Sequence, residues 1–143
     1  MADQSLVMKI TDVPMMEMDN GKFRDVFQIT DETFGPDTKI SAGQVWLAPG
    51  NTEGHLDVHE QDEAFYIISG HAQYYSDGEF IDVEPGDTVY CPAGSKHTFY
   101  TSDETLHLFW LIAGQWTTEL ADIKEEVDKG WNVVDGTTGW HLG

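Results

Sequence analysis

Gly50-Asn-Thr-Glu-Gly-His55-Leu-Asp57-Val-His59-Glu-Gln-Asp-Glu63-Ala-Phe-Tyr-Ile-Ile-Ser-Gly70 is the stretch on which the reading of this chain turns. Its first half concentrates histidines and carboxylates, and its second half is an aromatic and β-branched run stopped by a glycine. The two-residue period of a strand puts Asp57 and His59 on one face, about 7 Å apart, and a turn brings Glu63 back toward them. Imidazoles and carboxylates converging from neighbouring strands make a divalent-metal site, with ligand bonds of about 2.0–2.2 Å. A second piece, Gly86-Asp-Thr-Val-Tyr-Cys-Pro92-Ala-Gly94-Ser-Lys-His97, starts a strand at His97 directly after a Pro-x-Gly turn. From there His97 closes the set.

Outward from these pieces the chain reads as strand and turn. Ser41 to Ala48 alternates and stops at Pro49-Gly50, and Glu63 to Ser69 stops at Gly70. His71 to Tyr75 turns at Asp77-Gly78, Phe80 to Glu84 stops at Pro85-Gly86, and Thr88 to Cys91 stops at Pro92-Ala93-Gly94. His97 to Thr101 and the apolar run Leu106 to Ala113 follow. Short strands at regular spacing with Gly and Pro punctuation predict an all-β sandwich or barrel. Leu106-His107-Leu108-Phe109-Trp110-Leu111-Ile112 is apolar in both phases, so both of its faces are covered, one by the barrel interior and the other by a helix or a second subunit. The spacing of Leu120, Ile123 and Val127 after a cap-like Thr117 predicts one short C-terminal helix within residues 117–127. Met15, Met16 and Met18 mark a short strand in the N-terminal part, residues 1–39. The expectation is one domain over residues 1–143, with its core at 40–113 and a helix and tail at 117–143.

The two motif pieces resemble the paired motifs of the cupins, G-x5-H-x-H-x3/4-E-x6-G and G-x5-P-x-G-x2-H-x3-N. Glu63 with six residues to Gly70 fits the first, and His59 falls on its second histidine. Gly86, Pro92, Gly94 and His97 fit the second at full spacing. The resemblance implies an all-β double-stranded β-helix, a jelly-roll barrel, over roughly residues 40–113, and a homodimer. Two positions depart from the pattern: Asp57 stands where the first histidine is expected, and Thr101 where the closing asparagine is. Three arrangements of the site remain open: Asp57 as a carboxylate ligand beside His59, Glu63 and His97; His55 in that place; or three protein ligands only. Asp57 is preferred, because His55 lies about 13 Å along an extended strand from His59. His55 is then placed at the pocket mouth as an acid/base group, with His107 as a second candidate for proton transfer, although a core histidine is the commoner use of such a residue.

Residues in phase with the ligands line the pocket: Phe65 and Ile67 after Glu63, and Phe99 after His97. The neighbouring strand adds either Gln44 and Trp46 or Val45 and Leu47, with Trp46 taken as a lining residue. Two imidazoles and a carboxylate with open positions suit non-haem Fe(II), while Mn, Ni and Zn bind such sets as well. The expectation is one divalent ion and a small organic substrate. Dioxygenase-type oxidation is the first reading. A metal-assisted isomerase, cyclase or lyase comes next, and a non-catalytic small-molecule-binding barrel third.

Composition limits the partners. The chain of 143 residues carries 26 Asp+Glu against 7 Lys+Arg, a formal net charge of −19. Such a surface repels phosphate backbones, so no nucleic-acid partner is expected. No apolar run approaches the roughly 20 residues of a membrane span. With no basic-then-apolar leader after Met1, the expected location is the cytoplasm. The single cysteine, Cys91, reads as a small apolar strand residue. Of the acids, Glu63 and Asp57 are expected to face inward and the rest to face water.

Overall fold

The computed structural model describes residues 6–18, 22–50, 57–101 and 103–115, together with the backbone of residues 119–120. Eleven strands follow one another in chain order: β1 (Met15–Met18), β2 (Phe23–Ile29), β3 (Ile40–Leu47), β4 (Asp57–Val58), β5 (Glu63–Ser69), β6 (Ala72–Ser76), β7 (Glu79–Val83), β8 (Thr88–Cys91), β9 (His97–Thr101), β10 (Leu106–Ala113) and β11 (Glu119–Leu120). They form a six-stranded sheet in the order β1-β2-β3-β10-β5-β8 and a five-stranded sheet in the order β11-β4-β9-β6-β7. All pairings are antiparallel. The two sheets face each other as the layers of a jelly-roll barrel.

Alternation decides which side chains enter the barrel. In β5, Glu63, Phe65 and Ile67 are buried while Ala64, Tyr66 and Ile68 face out. In β10, Leu106, Leu108, Trp110 and Ile112 are buried, and His107, Phe109 and Leu111 are half-buried on the other face. The run that is apolar in both phases thus has one buried and one partly covered face. From the opposite sheet Tyr74, Val83 and Phe99 join Phe65, Ile67 and Leu108 in one continuous core. Burying such side chains contributes about 1.5–3 kcal/mol each, which is what holds two sheets of opposite origin together.

Local chemistry sets the turns. Ser76 pairs with Glu79, leaving Asp77-Gly78 as a two-residue hairpin loop. Both of its residues have positive φ, 45° and 96°, the arrangement whose twist matches that of the flanking strands. Before β3, Thr30 caps the single-turn helix α1 (Asp31–Phe34) by accepting from the backbone of Glu32 and Thr33.

The expected C-terminal helix meets one correction. Glu119 and Leu120, inside its range, are extended and pair with Val58 and Asp57. A free edge of β4 takes up these backbone groups, and tertiary pairing overrides the helical spacing at these two positions. The rest of that expected helix lies outside the described residues, as do the tail and His55. Among the described residues no helix is long and apolar enough to cross a membrane.

Candidate metal centre

Three side chains converge inside the barrel. His59 follows β4, Glu63 opens β5 and His97 opens β9, so they come from both sheets. Their ligand atoms all lie within 4.8 Å of one another. Glu63 Oε1 is 2.9 Å from His59 Nε2 and 3.2 Å from His97 Nε2. All three are buried, with His97 only 1% exposed.

Backbone pairing holds this convergence. Asp57 on β4 pairs with His97 on β9. The Gly94 N–H donates to the His59 carbonyl at 2.7 Å, and the Ala93 N–H donates to Asp62 Oδ1 at 2.9 Å. The Pro92-Ala93-Gly94 turn is thereby tied to the segment that carries His59.

The outer hydrogen bonds set the ring states. His59 Nδ1 lies 2.8 Å from the Gln61 carbonyl, and His97 Nδ1 lies 3.1 Å from the Ser95 carbonyl. A carbonyl only accepts, so each Nδ1 carries a proton and donates it. In the neutral ring Nε2 is then a lone pair, and both lone pairs point at a carboxylate oxygen. Three acceptors facing one point require a cation between them. A second proton on a ring supplies one, and a metal ion supplies another; a histidine anchored through Nδ1–H to a carbonyl is the usual arrangement of a metal ligand. The donor set fits a divalent ion.

The electrostatics agree. Burial works against charge on His97, but the Cys91 thiol, the Glu63 carboxylate and the charge of Asp57 outweigh it and hold the ring well above the ordinary histidine range. His59 is raised in the same way, its desolvation outweighed mainly by Glu63. The trio is a high-affinity point for positive charge.

The other expected residues divide. Phe65 and Phe99 adjoin the trio: the Phe65 ring centroid is 5.9 Å from that of His97, and the two phenyl rings meet edge to face at 5.0 Å. Ile67 is fully buried in the same core. Asp57 is half-buried and is not part of the mutually close trio, although its charge acts on His97. Trp46 and His107 are corrected in place. They pair with each other across β3 and β10, out of phase with Leu47 and Leu108, and stack at 4.4 Å on the outer face of the sheet. His107 Nε2 is bonded there to Gln44 Oε1 at 2.8 Å, and partial burial lowers its basicity. The inward pair from β3 is Val45 and Leu47, both packed in the core.

Two inward groups escaped the sequence reading. Cys91 is fully buried, with Sγ 3.1 Å from Ser95 Oγ. Burial pushes its thiol up, and contacts with His97, Ser95 and Tyr74 bring it down below its usual range, so it belongs to the surroundings of His97 rather than to a purely apolar layer. Asp25 on β2 is 2% exposed and accepts the Trp110 indole N–H at 3.0 Å. The signal was present: Asp25 stands in phase between Phe23 and Phe27, an acid where an apolar residue is expected.

The protein-family model of the cupin domain matches residues 35–112, more than half of the chain. The chain belongs to the cupin family. Its solved relatives agree in fold: a predicted oxalate decarboxylase from Thermotoga maritima superposes with a TM-score of 0.66 over 76% of this cupin and 99% of that chain, at 17% identity. The polyketide cyclase RemF from Streptomyces resistomycificus superposes with a TM-score of 0.67 over 83% of this cupin and 87% of that chain, also at 17% identity. Among curated proteins, acireductone dioxygenase from Bacillus cereus is 39% identical over 51 residues, 32% of this cupin and 30% of that enzyme. An uncharacterized Streptomyces coelicolor protein is 35% identical over 69 residues, 48% of this cupin and 65% of that protein. The match to (S)-ureidoglycine aminohydrolase from Escherichia coli is 36% identical over 54 residues, 38% of this cupin and 21% of the enzyme. The cupin therefore spans less than two thirds of each of these curated relatives.

Proposed function

We propose that this cupin is a mononuclear metal-dependent enzyme that oxidises a small organic substrate with dioxygen. One observation carries the reading: His59 and His97, each anchored through Nδ1 to a backbone carbonyl, direct Nε2 at the same Glu63 oxygen inside an apolar barrel. His59, Glu63 and His97 would hold the ion, with Asp57 as a fourth ligand or as a charge behind His97. Fe is the first choice, and Mn, Ni and Zn suit the same donors. When bound, such an ion supplies Lewis acidity at open coordination positions, and Fe(II) adds a route for electrons to dioxygen.

The chain's own residues supply the rest. Phe65 and Phe99 exclude water from one side of the trio and favour a flat, weakly charged substrate; no lysine or arginine is among the buried described residues to grip a second anion. Gln61 and Ser95 keep the imidazoles oriented. His55 stands as the candidate acid/base group at the pocket mouth. The likeness to acireductone dioxygenase supports oxidation, and the likeness in fold to a polyketide cyclase keeps metal-assisted cyclisation, isomerisation or lyase chemistry as the second reading. A homodimer covering the Phe109 and Leu111 face belongs to the same proposal, since that face is partly apolar.

The test begins with metal analysis of protein produced with Fe, Mn, Ni or Zn. About one ion per chain is expected, and its absence under every supplementation overturns the enzyme reading in favour of a binding barrel. Oxygen uptake by the Fe(II) form over a substrate panel then separates oxidation from cyclisation, which consumes no dioxygen.

A further inference from the structure

Asp25 is the buried acid for which the metal centre as described has no use. It sits on β2 in register with Val45, which pairs with Leu108, which pairs with Ile67, so one cross-strand row carries it into the barrel interior. Trp110 pairs with Phe65 on β5 and reaches back across β3 with its indole N–H to Asp25 Oδ1 at 3.0 Å. That reach depends on Gly43, where a Cβ would lie 1.9 Å from the Val26 carbonyl oxygen and 2.8 Å from the Trp110 ring. The space is kept for this contact.

Charge makes the arrangement unusual. The interior holds Asp25 and Glu63, and half-buried Asp57 acts on both Asp25 and the site. Opposite them stand two imidazoles, and no buried lysine or arginine among the described residues. Three carboxylates cannot remain ionised together in so low a dielectric without cations. Without metal, protons fill that need. With a divalent ion, the field at Asp25 from the region of Glu63 and Asp57 is largely cancelled.

We propose that Asp25 is the proton-bearing residue of the metal centre, neutral in the empty barrel and ionised, with Trp110 holding the carboxylate, once a divalent ion enters. The proposal rests on His59, Glu63 and His97 being the metal ligands. The step is balanced: the Asp25 O–H bond breaks, the electron pair stays on the carboxylate and the proton leaves to solvent. The groups acting on Asp25 are Asp57 from β4, Glu63 from β5, Trp110 from β10 and its neighbour Val26; burial first, then the two carboxylates, raise its affinity for the proton, while the Trp110 and Val26 hydrogen bonds oppose them. Asp25 bonds Trp110 and not a ligand atom, so Asp25→Asn keeps the contact and removes only the titration.

The experiment is calorimetric binding of Zn2+ and of Mn2+ in buffers of different ionisation enthalpy, at several pH values between about 5 and 8, for the wild type and Asp25→Asn. Protons displaced from His59 and His97 are common to both proteins and cancel in the difference. The wild type is expected to release about one proton more per ion, and its affinity to rise up to about tenfold more per pH unit than that of the variant. Equal proton counts with tight binding in both overturn the proposal and leave the metal reading intact. Failure of the wild type to bind either ion overturns both. Where Asp25→Asn does not fold, the carboxyl 13C resonance of Asp25 in the wild type decides: a shift to the ionised position on adding Zn2+ supports the proposal, and no shift overturns it.

Discussion

Glu63 Oε1 lies 3.2 Å from His97 Nε2 although 34 residues of chain separate them. The contact joins β5 of the six-stranded sheet to β9 of the five-stranded one, and it is the point where barrel closure and metal chemistry depend on the same atoms. Glu63→Gln keeps the shape and removes the charge. Metal affinity is expected to fall at least about tenfold, or about 1.4 kcal/mol, as read by metal content after dialysis against a graded chelator. Occupancy equal to the wild type would remove Glu63 from the ligand set.

Metal should also stabilise the fold. An ion that binds only the folded chain adds about 2.7 kcal/mol when free ion is 100 times its Kd. The thermal midpoint is expected to rise with added Zn2+ in the wild type and to be insensitive to it in a His59→Ala, His97→Ala double variant.

The metal-free protein should lose stability as pH rises. His59 and His97 have raised affinities for protons in the fold, so their contribution is complete below the unfolded histidine value of about 6.5. It is lost as pH climbs through the folded values. Urea midpoints of chelator-treated protein are expected to fall above neutral pH, and metal affinity to rise over the same interval as protons stop competing. A flat urea profile would show that neither ring is protonated in the fold.

Asp57 separates the open arrangements of the site. Asp57→Ala is expected to reduce metal occupancy, through a lost ligand bond or through the lost negative charge beside His97. Unchanged occupancy, with loss in His55→Ala instead, would assign the fourth position to His55.

Gly43→Ala tests the space around Trp110. The added methyl meets backbone at 1.9 Å, and overpacking of this kind costs about 1–3 kcal/mol. Trp110→Phe removes the donor to Asp25, and a buried acceptor left without its partner costs about the same. Chemical denaturation of each variant measures both effects, and either variant matching wild-type stability would show that the contact carries no weight.

The sequence by itself determined the strand pattern. Glu63–Ser69, Thr88–Cys91, His97–Thr101 and Leu106–Ala113 are strands at their expected bounds, because alternation and Gly or Pro punctuation are local properties. It also brought His59, Glu63 and His97 forward, since motif spacing encodes which ligands lie near turns. Only the tertiary structure decided phase and depth. Whether Trp46 or Leu47 faces inward depends on the register of β3 against β10, and a slip of one residue reverses every side chain. That register put Trp46 and His107 outside. Tertiary pairing also made Glu119–Leu120 extended against β4, where local spacing favoured a helix. Asp25 shows the limit most plainly: an acid in a strand reads as a surface residue, until the partner strand supplies an indole N–H and two more carboxylates to make it a buried one.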